Sequence, residues 1–182
     1  MTDLVQPKQS KAVVLGKDDE RPRLKLFRFK DTFPVQWHEN KIGATHRPWW
    51  FYNVSDISDW FNIFCISCLQ PGQSEGFHSH LPEHEGPYEC WYLVFEGEGQ
   101  IRTEYEDFNV ERFDAAFMPP NASHQMRNNS TKPLWYGTLS SRGGHPLRVD
   151  TYTLECSESR PGYMEEYNRI MEIRKKNGLP TP

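Results

Sequence analysis

The feature that most constrains this chain is a pair of histidines, His78 and His80, with one residue between them. Side chains on a β-strand point alternately to its two faces, so residues two apart share a face. Two imidazoles held on one face supply two ligands of a site for a first-row metal ion. A third histidine, His124, follows the apolar run 115–118, which predicts another strand. The sequence therefore predicts a β-rich chain in which separate strands bring imidazoles together.

Two patterns of fixed spacing enclose these histidines. In the first pattern, Gly72 precedes the histidine pair and a later strand ends at Gly97. In the second pattern, Pro119 precedes the third histidine and Asn128 follows it. The patterns resemble the two motifs of the cupin superfamily, which read Gx5HxHx3–4Ex6G and Gx5PxGx2Hx3N. Because several spacings must agree at once, the resemblance is specific, and it covers the middle third of the chain.

The resemblance implies an all-β fold, a double-stranded β-helix of the jelly-roll or cupin-barrel type. Short predicted strands at close spacing, with turn residues between them, agree with a double-sheet jelly roll. Two glycines of the second motif are replaced, one by Phe113 and one by Asn121. Asparagine is the next-best residue after glycine for a left-handed turn, so we expect the turn at Asn121 to persist.

The fourth metal ligand is the open question. The family motif places a glutamate seven residues before the turn glycine, and this chain has Cys90 there. Glu89 lies one residue earlier and faces the other way on an ideal strand, but a β-bulge within 86–89 would turn it inward. Glu85, His84 and Cys90 itself are alternatives, as is a set of three histidines alone, which some cupin dioxygenases use. The predicted ligands are His78, His80, Glu89 and His124.

Strand phase also selects candidate residues for a substrate pocket. Met126 shares the face of the third histidine, while Gln100 and Arg102 share one face of the strand after the Gly-rich turn. We predict that these three residues contact substrate. The predicted catalytic residues are His84 and Tyr92. For His84 the reason is that an imidazole near the mouth of the barrel titrates near neutral pH and suits an acid or base.

The length of 182 residues predicts one barrel domain with two extensions. We expect an N-terminal arm over residues 1–22, the barrel over 23–157, and a helix and tail over 158–182. Apolar residues recur at helical spacing in the last segment, with Pro161 near the first turn and Gly178 beyond the end. The chain is therefore expected to be all-β with a C-terminal α-helix.

Composition limits the partners of the protein. A net charge of −4 argues against a nucleic-acid partner, which would require a basic face. We expect neither a membrane span nor an export leader, because no apolar run is long enough to cross a bilayer, and the spacing of the four cysteines does not predict a disulfide framework. We therefore expect reduced thiols in a cytoplasmic protein. Cupins of this size are commonly dimers, so a homodimer is expected. We also expect the aromatic-rich span 37–60 to form a covering loop.

The resemblance implies one divalent metal ion per chain. Imidazoles suit Fe, Mn, Ni, Zn or Cu, and a carboxylate in the set favours Fe(II) or Mn(II) over Cu(II). The function expected first is a dioxygenase that uses Fe(II) and O2 on a small organic substrate. The alternatives are a non-oxidative metal-dependent lyase, isomerase or hydrolase, and a non-catalytic cupin that binds a small ligand.

Overall fold

The computed structural model describes residues 13–15, 24–32, 34–36, 48–52, 58, 60–79, 89–141 and 163–181. Within these ranges the chain is mostly antiparallel β-strand with one helix near the C terminus, which confirms the predicted fold class. The strands are β1 (Val13–Leu15), β2 (Leu24–Leu26), β3 (Pro34–Gln36), β4 (Pro48–Tyr52), β5 (Phe61–Leu69), β6 (Cys90–Glu96), β7 (Glu98–Arg102), β8 (Asp107–Glu111), β9 (Ala115–Met118), β10 (Gln125–Arg127) and β11 (Leu134–Ser141). A short 3-10 helix spans Phe29–Asp31, and helix α1 spans Tyr163–Lys176.

Two sheets form the body of the fold. The larger has six strands in the order β3-β4-β5-β11-β6-β9, and the smaller has three strands in the order β10-β7-β8. Strands β1 and β2 form a separate pair. Every strand pair is antiparallel, and the neighbours β5 and β11 are far apart in sequence, as a jelly-roll topology requires.

The core lies between the larger and the smaller sheet. Strand β6 shows how the sequence builds it, since Cys90, Tyr92 and Val94 are buried whereas Trp91 and Leu93 are exposed. Alternation along one strand thus sends one set of side chains inward and the other set outward. The buried cluster joins seven strands and consists of Leu69, Cys90, Tyr92, Val94, Ile101, Val110, Met118, Met126, Leu134 and Tyr136.

The aromatic-rich segment 48–52 is a strand, so the expectation of a covering loop is wrong for these residues. Strand β4 pairs with β3 on one side and with β5 on the other. Pro48 is tolerated because it is the first residue of the strand, and the aromatic run after it has high β-propensity. The rest of the predicted loop lies almost entirely outside the described residues.

The turns explain how this chain tolerates its replaced motif glycines. Asn121 adopts a φ of 68°, which confirms the left-handed turn expected there, and Phe113 adopts a φ of 75°. Phe113 is 70% exposed, so its large side chain avoids the core despite the strained backbone. Gly97 has a φ of 88° and joins β6 to β7.

Helix α1 ends as its sequence predicts. Gly178 has a φ of 69°, the Gly178 N–H donates to the carbonyl of Lys175, and the Leu179 N–H donates to the carbonyl of Arg174. These two bonds are the pair that defines a Schellman motif. The division into arm, barrel and helical tail stays a prediction, because residues 1–12 and 142–162 lie outside the described ranges.

Candidate metal centre

The centre is built on a backbone bridge between two of the predicted ligands. The N–H of His78 donates to the carbonyl of His124 at 3.1 Å, and the N–H of His124 donates to the carbonyl of His78 at 2.8 Å. Residues directly opposite in an antiparallel pair present their side chains on the same face. The two imidazole rings accordingly lie with their centroids 4.5 Å apart, and both side chains are buried.

Each imidazole is oriented by a main-chain carbonyl. Nδ1 of His78 lies 2.9 Å from the carbonyl oxygen of Gly76, and Nδ1 of His124 lies 2.8 Å from the carbonyl oxygen of Ala122. A carbonyl oxygen can only accept, so Nδ1 carries the proton in both rings, and in a neutral imidazole this leaves the lone pair on Nε2. A histidine ligand whose other nitrogen donates to a carbonyl is the usual arrangement at metal sites.

The remaining predicted ligands are His80 and Glu89, with His84, Glu85 and Cys90 as alternatives. His80 lies outside the described residues, as do His84 and Glu85, so their ligand roles stay predictions. Glu89 is described and exposed, and its main chain pairs with Ser141, with the Glu89 N–H donating to the Ser141 hydroxyl at 2.9 Å. Among the residues that the structure describes, no group of three or more His, Cys, Asp or Glu side chains forms a metal-binding set.

Glu89 belongs by alternation to the outward-facing set of strand β6, with Trp91 and Leu93. Cys90 faces inward, and burial raises the pKa of its thiol to about 12, with a hydrogen bond from Ser140 opposing that shift. Cys90 is therefore a neutral buried thiol in this structure. Cys65, Cys68 and Cys90 are all buried, and the expectation of reduced cysteines stays a prediction.

The sequence analysis missed Glu75, a fully buried carboxyl group beside the histidines. The hydroxyl of Tyr92 donates to Oε2 of Glu75 at 2.6 Å, and the hydroxyl of Tyr136 donates to Oε1 at 2.5 Å. The N–H of Met126 also donates to Oε2, at 3.2 Å. These donors compensate the loss of water around the carboxyl group.

A change of register places Glu75 inside. Ser74 bridges Arg127 and His78 bridges His124, so four steps along the first segment match three steps along the second. One extra residue therefore bulges out of the pairing between the two bridges. As a result Glu75 and His78, which are three residues apart and would face opposite sides of a regular strand, both contact residues of the interior.

Tyr92 connects the buried carboxyl group to the histidine pair. Its ring meets the ring of His124 edge-on at a centroid distance of 5.6 Å, while its hydroxyl is held by Glu75. Burial, and then the nearby Glu75, raise the pKa of Tyr92 well above that of a solvated tyrosine, so its side chain is a neutral phenol. The structure thus brings Tyr92 and the fully buried Met126 into the interior beside the centre. Their predicted catalytic and substrate roles stay predictions.

Gln100 and Arg102, both on β7, have side-chain partners other than the two histidines. Gln100 is half-buried and donates weakly to Asn109 on β8, at 3.4 Å. Arg102 is buried, but Nη1 donates to Gln125 at 2.9 Å and Nη2 donates to the carbonyl of Pro180 at 2.6 Å. The Arg102 guanidinium therefore links the small sheet to the C-terminal segment, and its predicted contact with substrate stays a prediction.

The two antiparallel sheets and the helix near the C terminus define a double-stranded β-helix. Residues 65–136 match the family model for the cupin domain, which confirms the resemblance predicted from the motifs. No curated protein sequence matches the chain.

Solved structures show the same fold. A predicted oxalate decarboxylase from Thermotoga maritima aligns with a TM-score of 0.55 at 22% identity, over 63% of this chain and 96% of its own. A cupin 2 conserved barrel domain protein from Rhodopseudomonas palustris aligns with a TM-score of 0.51 at 14% identity, over 64% of this chain and 74% of its own. At these identities the similarity establishes the architecture and not the reaction.

Two general properties follow for the described residues. Cupin domains generally hold a metal ion, and the histidine pair has the donor chemistry that such an ion needs. None of the described helices is both long and apolar enough to cross a membrane.

Proposed function

We propose that this protein is a metal-dependent enzyme that acts on a small organic substrate, and that it is a dioxygenase using Fe(II) and O2. The observation that carries the proposal is the pair of buried imidazoles, His78 and His124, whose rings lie 4.5 Å apart. Each ring is locked by its Nδ1 contact in the tautomer that leaves the Nε2 lone pair to bind a metal.

The proposed ligand set is the three histidines, with His80 added from the sequence pattern. Neutral imidazoles suit Fe(II), and they also suit Mn, Ni, Zn and Cu. The exposure of Glu89 and its place among the outward-facing residues of β6 favour this set over one that includes Glu89 as a fourth ligand. Three protein ligands would leave coordination positions for water and substrate, as catalytic metal sites require.

The chain itself would contribute the walls and the polar groups of the pocket. A bound metal ion would supply Lewis-acid polarisation of the substrate and, as Fe(II), a binding position for O2. Met126 offers an apolar surface beside the histidines, and the neutral Tyr92 offers only a hydroxyl already directed at Glu75. Tyr92 would therefore form part of the pocket wall with its ring, while its hydroxyl holds Glu75.

Metal content tests the first half of the proposal. Protein purified without added metal should contain about one divalent ion per chain by elemental analysis, with iron as the main metal. His78→Ala and His124→Ala should each lose most of this metal because a coordinating imidazole is removed. The matched control is Glu89→Ala, which should retain the wild-type metal content. Loss of metal in Glu89→Ala would restore the four-ligand set, and metal-free wild-type protein would refute the proposal.

Oxygen uptake tests the reaction class. The iron-loaded protein should consume O2 with at least one member of a panel of small phenols, diketones and thiols, and the His78→Ala variant should not. Substrate turnover that retains the metal but needs no O2 would identify a non-oxidative lyase, isomerase or hydrolase instead. Binding of small ligands without any turnover would identify the non-catalytic alternative.

A further inference from the structure

The two residues that flank His78 both face helix α1. Phe77 and Ser79 are buried, with 1% and 0% of their surfaces exposed. The hydroxyl of Ser79 donates to Oε1 of Glu166 in helix α1 at 3.0 Å. Helix α1 therefore contacts the segment that carries His78 on the side opposite to the imidazole.

Glu166 is itself fixed in position. Nε and Nη2 of Arg169, three residues further along the helix, donate to its two carboxyl oxygens, each at 2.8 Å. This fork-to-fork pairing gives the carboxyl group a defined orientation in addition to its charge. Arg169 also lies 3.4 Å from Glu104 in the turn between β7 and β8. The acceptor for Ser79 is thus anchored both to the helix and to the small sheet.

Phe77 is held by two guanidinium groups. Arg174 lies 5.5 Å and Arg102 lies 6.0 Å from the centre of the Phe77 ring, within the range of cation–π contacts. Arg174 is in turn fixed by Asp107, with distances of 2.7 and 3.1 Å between the paired atoms. Phe77 and Ser79 therefore connect the segment around His78 to different turns of helix α1.

We propose that helix α1 positions the metal centre from outside the barrel, and that Glu166 is a positioning residue that acts on His78 through the Ser79 hydroxyl. The inference deepens the proposed function and rests on it, because it assumes that His78 is a metal ligand. The Gly76 carbonyl orients the imidazole, while Ser79 and Phe77 fix the main chain that carries it. Groups behind the ligands commonly control metal affinity because they limit how far a ligand can move.

Metal affinity of three variants tests the inference. Ser79→Ala, Glu166→Ala and the double variant should each bind Co(II) about tenfold more weakly than wild type in a direct titration. If Glu166 acts through Ser79, the double variant loses no more affinity than either single variant, because both substitutions remove the same hydrogen bond. Glu165→Ala is the matched control. It removes an exposed carboxyl group from the same helical turn and should bind Co(II) like wild type.

The metal-free protein provides a second measurement that is independent of metal binding. Two-bond 1H–15N spectra of the imidazoles show which nitrogen of each ring is protonated. The signals of His78 are assigned by their loss in His78→Ala. Ser79→Ala and Glu166→Ala should shift or broaden these signals, and Glu165→Ala should leave them unchanged. A purely structural role of Glu166 would lower stability without moving the His78 signals.

The outcomes separate this inference from the proposed function. If wild type binds Co(II) and both single variants bind it equally well, the positioning role is refuted and the metal centre stands. If the losses in the double variant are additive, about a hundredfold, Glu166 does not act through Ser79 and the inference is wrong. If wild type binds no Co(II), the proposed function fails, and unchanged His78 signals in the variants would refute the positioning role as well.

Discussion

Glu75 determines how the polar interior is organised at the scale of single residues. Its carboxyl group accepts from the hydroxyls of Tyr92 and Tyr136, which lie on β6 and β11, and from the main chain of Met126 on β10. One side chain therefore joins three strands from both sheets. Because it exposes no surface, each of these hydrogen bonds replaces a bond to water.

We expect Glu75→Gln to lower the free energy of unfolding by about 2 kcal/mol, measured by urea denaturation of the metal-free protein. The amide nitrogen of glutamine cannot accept a hydrogen bond, so one tyrosine hydroxyl loses its acceptor inside the core. Tyr136→Phe, which removes one donor and leaves the others, should cost about 1 kcal/mol. Glu111→Gln on the exposed face of β8 is the surface control. A Glu75→Gln variant as stable as this control would contradict the assigned role.

At this scale the sequence predicted the two histidines but not the buried carboxyl group of Glu75. His78 and His124 were predicted because fixed spacings in two motifs identify them, and the structure pairs their backbones and rings. Glu75 could not be predicted, since its distance of three residues from His78 places it on the opposite face of any regular strand. Only the shifted register between the two bridges brings it inside, and no residue of that segment signals the shift.

At the scale of elements, two glycine turns differ in whether they can accept a side chain. A Cβ atom on Gly97 would overlap the carbonyl oxygen of Pro133, whereas a Cβ atom on Gly72 would meet no atom within 4 Å. Both glycines have a positive φ, of 88° and 80° respectively. The two positions therefore share the backbone strain of an alanine substitution and differ only in the steric clash.

We expect Gly97→Ala to lower the free energy of unfolding by about 3 kcal/mol and Gly72→Ala by about 1 kcal/mol. The difference comes from the main-chain oxygen of Pro133, which cannot move without disturbing the start of β11. Thermal and urea denaturation of the two variants give both values. Equal losses of stability would show that the β6–β7 turn can adjust, contrary to this expectation.

Strand β4 shows where element prediction failed. Pro48 lies within the span predicted as a covering loop, but proline at the first position of a strand costs no ladder hydrogen bond when its N–H position is not needed. The aromatic run after Pro48 then pairs with β5 from Trp49 to Tyr52. By contrast, the helix at 163–176 was predictable because its periodic apolar residues and its stop at Gly178 agree.

At the scale of the whole molecule, Arg174 joins the C-terminal helix to the smaller sheet. Its fully buried guanidinium bonds to Asp107 and to the carbonyls of Thr103 and Pro180. These partners belong to the β7–β8 turn, to β8 and to the segment after the helix. A planar group with five donors can satisfy all of them at once, which an ammonium group cannot.

We expect Arg174→Met to lower the free energy of unfolding by about 3 kcal/mol, because Asp107 loses the nearer of its two buried arginine partners. Hydrogen exchange of helix α1 should also become faster as the helix detaches from the small sheet. Lys175→Met removes the same charge from an exposed neighbour and should change stability by less than about 0.5 kcal/mol. Equal stability of the two variants would show that helix α1 docks without Arg174.

Assembly stays a prediction at this scale. Trp91 and Phe117 lie side by side on the outer face of the large sheet, with ring centroids 4.8 Å apart and close to half of each side chain exposed. Exposed apolar groups of this kind are compatible with the expected homodimer. The cytoplasmic location and the small-molecule partner likewise rest on the sequence and on the proposed function.

The extra residue between Ser74 and His78 has a consequence for comparing this chain with its relatives. Removing one residue there would match three steps with three, restore regular pairing and exchange the sides to which the neighbouring side chains project. The number of residues in this short stretch therefore decides which of its side chains project into the interior. A sequence alignment that places a gap here would equate an interior carboxyl group with a residue of a different environment, and conservation scores computed across that gap would be misleading.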